Sequence, residues 1–425
     1  MTAALLVGGL IVLLLAGVPV GFALGMAGFL ALVLGGFSPL MAPQAISSTM
    51  DSFILLAVPL FLLMSNVLLH GGAGRDLFAA VQSWVGHWPG GVAVATILSC
   101  GLFSAISGSS VATAATIGTV AIPEMLQRGY PRPFVFGLLA AGGTLGILIP
   151  PSIPMILFAF VAEESVTNLF LAGIGPGILL IILFSVFSAA YTRLSPHFTV
   201  APRAAPAERR AATRRALPSL ALAVFIFWGI YRGVFTPTEA AAAGLAFSLL
   251  ITVFWLKTMT WKKFRRAAVD SMVTSAAVLA IVAGAKIFGR AMTLHRIPQD
   301  LSAFIVGNLS SEPGLFVALV CLSLLVMGLF LEALSMMLIM APVLLPALAS
   351  LGIDPIWFGV FFVLMTECAL ITPPIGLNLY VIQSVAGARM SEVARGVWPF
   401  LAAILLLAAA LYWLPAIALY VPFGG

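Results

Sequence analysis

Residues 104–125 read SAISGSSVATAATIGTVAIPEM, a run of small and hydroxyl-bearing side chains inside a strongly apolar sequence, with Gly108 interrupting it. In a bilayer every unsatisfied backbone group is costly, so a broken helix is tolerated only within protein or beside a cavity. Hydroxyl and free carbonyl oxygens are the ligands that hard cations prefer. The stretch therefore predicts a re-entrant helical hairpin whose tip binds an ion or a substrate. A small-residue packing face between two helices is the alternative that this stretch leaves open.

The composition of the whole chain indicates a membrane protein. Of its 425 residues, 62% are hydrophobic and 8% are charged, whereas soluble domains carry about 25% charged residues. We therefore predict an all-α polytopic membrane protein, with roughly ten to fourteen membrane segments if each takes about 20 residues plus a short loop. The net charge of +6 does not indicate a nucleic-acid partner, because the basic residues are concentrated in two short segments.

These two basic segments predict the orientation of the central part of the chain. Six Arg lie within 193–216, and five Lys or Arg lie within 257–266. The positive-inside rule places both segments in the cytoplasm. Two apolar segments between them, 217–231 and 238–256, would return the chain to the same side. After one more span, the loop 294–300 should be periplasmic.

The sequence also carries an internal repeat with a fixed register of 223 residues. Pro123 pairs with Pro346 and Gly173 with Gly396, and the pair Pro150–Pro151 matches Pro373–Pro374. Interrupted apolar segments at corresponding positions of two halves are typical of secondary transporters, which bind substrate and ions near the bilayer midplane. Proline kinks kept for packing are the alternative. The predicted division is a first repeat half at 1–192 with hairpin one at about 91–127, a cytoplasmic basic loop at 193–216, and a second half at 217–425 with hairpin two at about 325–350.

Three motifs carry a resemblance to a known family: ISGSSVATAATIGTVAIPEMLQRGY at 106–130, GTLGILIPPSIPM at 143–155 and ITPPIGLNLYV at 371–381. The chain resembles the large membrane subunit, of DctM type, of tripartite ATP-independent periplasmic (TRAP) transporters. The resemblance implies a multi-pass protein of the bacterial inner membrane. Its fold would be an inverted repeat with broken helices and two re-entrant hairpins, divided into a scaffold and an elevator-type transport domain.

The same resemblance implies a sodium-coupled importer of organic acids such as C4-dicarboxylates or sialic acids. It implies two partners, a small TRAP membrane subunit and a periplasmic solute-binding protein, with sodium as the coupling ion and no organic cofactor. A standalone sodium-coupled carboxylate transporter and a channel are the alternatives. The sequence contains no GxxxxGK[ST] motif for nucleotide binding, and no HExxH or Ser–His–Asp constellation that would indicate an enzyme.

The resemblance and the repeat together predict two sodium sites built from oxygen ligands. The first site resembles the family's at Ser104, Ser107, Gly146, Ile149 and Pro151. Shifting these positions by 223 residues gives Met327, Phe330, Ala369, Thr372 and Pro374. Because Met327 and Phe330 offer only carbonyls, the predicted second set is Gly328, Thr366, Thr372 and Pro374.

Substrate contacts are predicted at the hairpin tips and at two intramembrane cations. Helix N-termini can meet a carboxylate, and the expected polar contacts are Ser109, Ser110, Thr372, Asn378, Lys286 and Arg290. Ionisable groups inside a membrane indicate function by default, although Arg290 could instead extend to the interface. The acids Asp51, Glu124, Glu239, Glu332 and Glu367 are expected to be helix caps or packing partners, with Glu239 capping the helix after Thr238.

Overall fold

The structure is a computed structural model that describes residues 2–194, 200–309 and 313–424. In these ranges the regular elements are helices, as the sequence predicts. The α-helices are α1 (Thr2–Leu15), α2 (Val20–Leu34), α3 (Met41–Met50), α4 (Ala57–Gly71), α5 (Ala73–Val85), α6 (Gly91–Ser107), α7 (Ser110–Gln127), α8 (Arg132–Leu148), α9 (Ile153–Ala162), α10 (Val166–Leu194), α11 (Pro206–Tyr231), α12 (Pro237–Leu250), α13 (Trp261–Leu294), α14 (Ile297–Leu309), α15 (Pro313–Met327), α16 (Ala333–Ser350), α17 (Pro355–Ile371), α18 (Leu377–Ala386), α19 (Met390–Trp413) and α20 (Ala416–Phe423).

Glycine and proline set the helix breaks that matter for the site. Gly108 has a φ of +61°, in the left-handed region that favours glycine, and it separates α6 from α7. The predicted hairpin one therefore coincides with the helical pair α6–α7, Gly91–Gln127. Pro150–Pro151 and Pro373–Pro374, both joined by cis bonds, separate α8 from α9 and α17 from α18.

The helices follow the 223-residue register found in the sequence. Adding 223 to the bounds of α7 gives the bounds of α16, and the same shift turns α8 into α17. The N-cap Ser109 of α7 likewise corresponds to Glu332, the N-cap of α16. The second helical pair, α15–α16, spans Pro313–Ser350 and so begins well before residue 325.

Fewer helices can cross a membrane than the chain length suggested. By length and composition, seven helices among the described residues qualify, or up to eight if α8 and α9 form one span bent by 41°. The expectation of roughly ten to fourteen segments assumed that every 20 apolar residues cross the bilayer. Apolar helices such as α6, α15 and α17 have fewer than 18 residues, because they are arms of broken or paired helices.

The basic segment 193–216 is not a loop throughout. Its residues 195–199 lie outside the described ranges, and α11 begins at Pro206, so the later arginines are helical. Arg209 stacks on Trp84 of α5, with 5.5 Å from guanidinium carbon to ring centroid, and Arg215 Nε lies 3.5 Å from Asp76 Oδ1. Burial raises the pKa of the Asp76 carboxyl, while the nearby arginines oppose that shift.

The cap of α12 differs by one turn position from the prediction. Thr236, rather than Thr238, is the N-cap, and the Glu239 carboxylate accepts a hydrogen bond from the Thr236 backbone N–H at 2.8 Å. The two residues form a capping box, which satisfies two backbone donors that would otherwise lack partners. The Thr238 hydroxyl instead donates to the Phe53 carbonyl at 3.1 Å.

Helices of the two sequence halves interleave in the core. A Cβ on Gly137 of α8 would lie 2.8 Å from Cα of Gly396 in α19, so these helices meet backbone to backbone. In α2, a Cβ on Gly28 would lie 2.6 Å from the backbone nitrogen of Phe288 in α13. Small residues permit such close crossings of membrane helices. The pairs α7–α18 and α9–α16 also join the two halves.

Candidate functional site

The tip of hairpin one lies directly against the break between α8 and α9. A Cβ on Gly108 would be 2.6 Å from the carbonyl oxygen of Pro151. A Cβ on Gly146 would be 2.6 Å from the carbonyl carbon of Ser109 and 2.8 Å from the backbone nitrogen of Ser110. Only residues without a side chain allow this approach, so the two glycines bring the predicted elements of the first sodium site together.

Buried hydroxyls surround this contact. Ser107 and Thr113 face each other across the hairpin with 2.9 Å between their hydroxyl oxygens, and Ser104 donates to the Cys100 carbonyl at 2.6 Å. Ser109 is the N-cap of α7, and its hydroxyl accepts from the Ala112 N–H at 3.4 Å. Ser104, Ser107 and Thr113 are almost completely buried. The tip therefore holds several oxygens close to one helix terminus.

The Pro150–Pro151 pair leaves carbonyls of α8 without their helical donors. Proline has no N–H, so the carbonyls of Gly146 and Ile147 lose the hydrogen bond from the residue four positions on. The Ser152 hydroxyl, at the start of α9, donates to the Ile147 carbonyl. No such donor replaces Pro150 for Gly146 among the hydrogen bonds of the described residues. Carbonyls of this kind are available to a hard cation.

The predicted second site has related contacts but is more open. A Cβ on Gly328 would lie 3.2 Å from Cα of Ala369, so the end of α15 touches α17. The hydroxyls of Thr366 and Thr372 donate to their own helix, to Phe362 at 2.6 Å and to Cys368 at 2.7 Å. Thr366 is buried and Pro374 is exposed, whereas both prolines of the first break are buried.

Lys286 and Arg290 line a separate cavity of about 530 Å³ between α13 and three other helices. Lys286 Nζ lies 4.9 Å from the ring centroid of Phe160, a cation–π contact. Arg290 Nη1 donates to the Met41 carbonyl at 3.2 Å. The cavity's lining combines these two cations with neutral donors and apolar groups: Met41, Gln44, Ser48, Phe160, Val161, Val282, Ala285, Gly289, Thr293, Leu294, Leu338 and Pro342. No acidic residue is among the residues that line it.

The predicted substrate contacts consequently fall into more than one place. Ser109 and Ser110 belong to the tip of hairpin one, and neither they nor Thr372 line the cavity around Lys286. Asn378 is buried in the first turn of α18, where its amide nitrogen donates to the Ala140 carbonyl at 3.2 Å. The structure therefore separates the lysine and arginine from the other four predicted contacts.

Comparison with known proteins identifies the family. A family model described as "Tripartite ATP-independent periplasmic transporter, DctM component" matches residues 7–417. This chain belongs to the DctM family. The chain is 38% identical over 404 residues to the C4-dicarboxylate TRAP transporter large permease protein DctM of Pseudomonas aeruginosa, covering 94% of this chain and 93% of that protein.

Another member of the family carries a different substrate in its name. The sialic acid TRAP transporter large permease protein SiaM of Vibrio cholerae is 34% identical over 411 residues, which cover 96% of each chain. Among solved structures, the Alcanivorax borkumensis YdaH transporter aligns with a TM-score of 0.59 at 17% identity, covering 89% of this chain and 88% of that one. That likeness shows a shared fold. The DctM-family relatives are transporter permeases rather than enzymes.

Two kinds of site residue escaped sequence reasoning about this DctM-family chain. Gln44 and Ser48 line the cavity from α3 and stand four residues apart, a spacing that puts both on one helix face and could have drawn attention. Glu367 was expected to be a cap or packing partner. It is instead fully buried in the middle of α17, and neither carboxylate oxygen has a hydrogen-bond partner.

Proposed function

We propose that this chain is the large transmembrane subunit of a sodium-coupled, binding-protein-dependent TRAP importer of a C4-dicarboxylate or a similar organic acid. The family membership supports the importer role. The observation that carries sodium coupling is the contact between the hairpin tip and the α8–α9 break. There the Gly146 and Pro151 backbone meets the hydroxyl-rich turn at 107–110. The donors are oxygens only, and no group of three His, Cys, Asp or Glu that could hold a transition metal occurs among the described residues.

We further propose that the organic acid binds in the cavity at Lys286 and Arg290. Residues four apart on a helix have Cβ atoms about 6 Å apart, a separation suited to the two carboxylates of a short dicarboxylic acid. The volume of about 530 Å³ lies in the usual range for small-molecule sites. Gln44, Ser48 and Thr293 can supply neutral hydrogen bonds. The helix N-terminus at Ser109–Ser110 is a second candidate for carboxylate contact.

The position of this cavity suggests how substrate movement is coupled to ions. α13 forms one wall together with α3, and α9 and α16 contribute the other. α9 begins directly after the first break, and α16 is an arm of the second helical pair. In an elevator mechanism, the two hairpins and broken helices would move as a transport domain past a scaffold containing α13. Sodium binding at the breaks would then set the position of one wall of the substrate cavity.

The remaining parts of the proposal concern energy supply and partners. Moving one charge through 100 mV is worth about 2.3 kcal/mol, so coupled sodium ions can drive accumulation without ATP. A small membrane subunit and a periplasmic solute-binding protein would complete the importer in the bacterial inner membrane. The segments 193–216 and 257–266 would face the cytoplasm, separated by the two candidate spans α11 and α12.

Uptake in proteoliposomes tests this function. The chain is reconstituted with its small-subunit partner, and candidate solute-binding proteins loaded with radiolabelled succinate, malate or sialic acid are added outside. We expect saturable uptake that requires both an inward sodium gradient and a loaded binding protein. Uptake by the chain without either partner would favour a standalone carboxylate transporter instead. Flux that neither saturates nor depends on sodium would indicate a channel.

A further inference from the structure

Glu367 is a buried acid for which the fold provides no partner. Its exposed fraction is 0%, and both carboxylate oxygens lack a hydrogen bond. None of the salt bridges among the described residues involves it. An isolated buried carboxylate is strongly unfavourable unless an opposite charge or a proton compensates it. The side chain therefore implies a missing cationic or protic partner inside the second half of the chain.

The repeat register shows that this feature belongs to one half alone. Glu367 corresponds to Thr144, which is equally buried but donates to the Ala141 carbonyl of its own helix at 2.6 Å. The first half thus places a satisfied neutral hydroxyl where the second half places an unsatisfied acid. Packing alone does not explain the difference, because the neighbouring Ala369 and Gly146 correspond in the same register and both touch a hairpin.

Two further oxygens in the second half share this condition. The Ser335 hydroxyl in the first turn of α16 and the Asn378 amide oxygen in the first turn of α18 are buried without partners. Their counterparts in the first half are Ala112 and Met155, whose side chains contain no oxygen. Both α16 and α18 pack against α17, which carries Glu367. The unsatisfied groups are oxygens that can all act as ligands, as a bound hard cation would require.

We propose that Glu367 is an anionic ligand of a sodium ion bound in the second half, with Ser335 and Asn378 contributing neutral oxygens from the helices packed on either side. This inference rests on the proposed sodium coupling and adds a ligand set to it. The two half-sites are then electrically unequal, since the first contains hydroxyls and carbonyls only. Sodium in the second half is neutralised by a protein charge, so this ion binds more tightly than the one at the first half.

Thermal unfolding of the purified protein against sodium concentration tests the inference without requiring transport. Ionic strength is held constant with choline chloride, and stabilisation follows the ratio of free ion to its dissociation constant. In the wild type we expect the melting temperature to rise with sodium. In Glu367→Gln, which keeps the shape and removes the charge, the sodium concentration for half of this rise should increase by at least about tenfold. The matched control Thr144→Val should respond like the wild type.

The outcomes separate this inference from the proposed function. If Glu367→Gln and wild type share one sodium dependence, Glu367 is neutral and structural, and the inference is overturned while sodium coupling stands. A wild type stabilised by lithium or potassium but not by sodium, with loss of the effect in Glu367→Gln, supports the anionic ligand and overturns sodium as the ion. If Glu367→Gln does not fold, Glu367→Asp keeps the charge but shortens its reach, and an unchanged sodium dependence in that variant also overturns the inference.

Discussion

Replacing Gly146 by alanine inserts one methyl group between α8 and the tip of hairpin one. The added Cβ would lie 2.6 Å from the carbonyl carbon of Ser109 and 2.8 Å from the nitrogen of Ser110. Both atoms belong to the backbone, so no flexible side chain can turn away. The tip and the α8–α9 break must therefore separate, and the two halves of the predicted first sodium site move apart with them.

The size of the displacement follows from these distances. Cβ contacts shorter than 3.0 Å essentially do not occur, and ordinary contact begins at 3.4 Å. The carbonyl carbon must therefore retreat by at least 0.4 Å and by 0.8 Å for an ordinary contact. Metal–ligand distances are defined to about 0.2 Å, so at least one ligand of a shared ion is lost. We expect the sodium concentration for half-maximal uptake to rise at least about tenfold, equivalent to about 1.4 kcal/mol.

The same substitution should leave the protein folded. Overpacking costs about 1–3 kcal/mol, and alanine returns about 1 kcal/mol of helix propensity relative to glycine. Gly25→Ala in α2 is the matched control, because its Cβ would meet only atoms 3.8 Å and 4.0 Å away. Sodium-dependent uptake and monodispersity in detergent are measured for both variants. If Gly146→Ala keeps the sodium dependence of Gly25→Ala, the tip and the break do not share an ion.

Three further substitutions examine separate parts of the structure. Ser107→Ala removes the 2.9 Å hydroxyl pair with Thr113, so half-maximal uptake should require severalfold more sodium while the melting temperature changes little; an unchanged sodium dependence removes Ser107 from the site. Gly396→Val places a side chain against the Pro133 carbonyl, and size-exclusion chromatography should show almost no monodisperse protein, whereas wild-type recovery would contradict the tight α8–α19 crossing. Lys286→Met should raise the KM of the transported organic acid at least about tenfold without changing the sodium dependence, and an unchanged KM would place the substrate elsewhere.

Local sequence signals were sufficient for the helix breaks and for the repeat. The conformational freedom of Gly108 and the missing N–H groups of Pro150 and Pro151 act within a few residues, so they mark a break whatever packs around it. The bounds of hairpin one therefore agree with the prediction. The number of spans does not, because chain length alone cannot tell a crossing helix from an arm of a broken one.

Tertiary packing decided what the sequence could not. Lys286 and Arg290 stand out as charges in an apolar stretch, but Phe160 and Gln44 reach the same cavity from distant parts of the chain. Glu367 shows the opposite difficulty. A single acid in an apolar helix usually has a partner, and only the folded arrangement reveals that the described residues provide none.

The backbone contact between Gly137 and Gly396 has a consequence for biosynthesis. These residues are 259 positions apart in the chain, and a ribosome adds about 5–20 residues each second, so α8 waits roughly 13–50 s for its partner helix. During that interval its glycine-lined face has no permanent neighbour. Assembly of this protein is therefore completed only at the end of translation, and a chain truncated before α19 should be a target for membrane quality control.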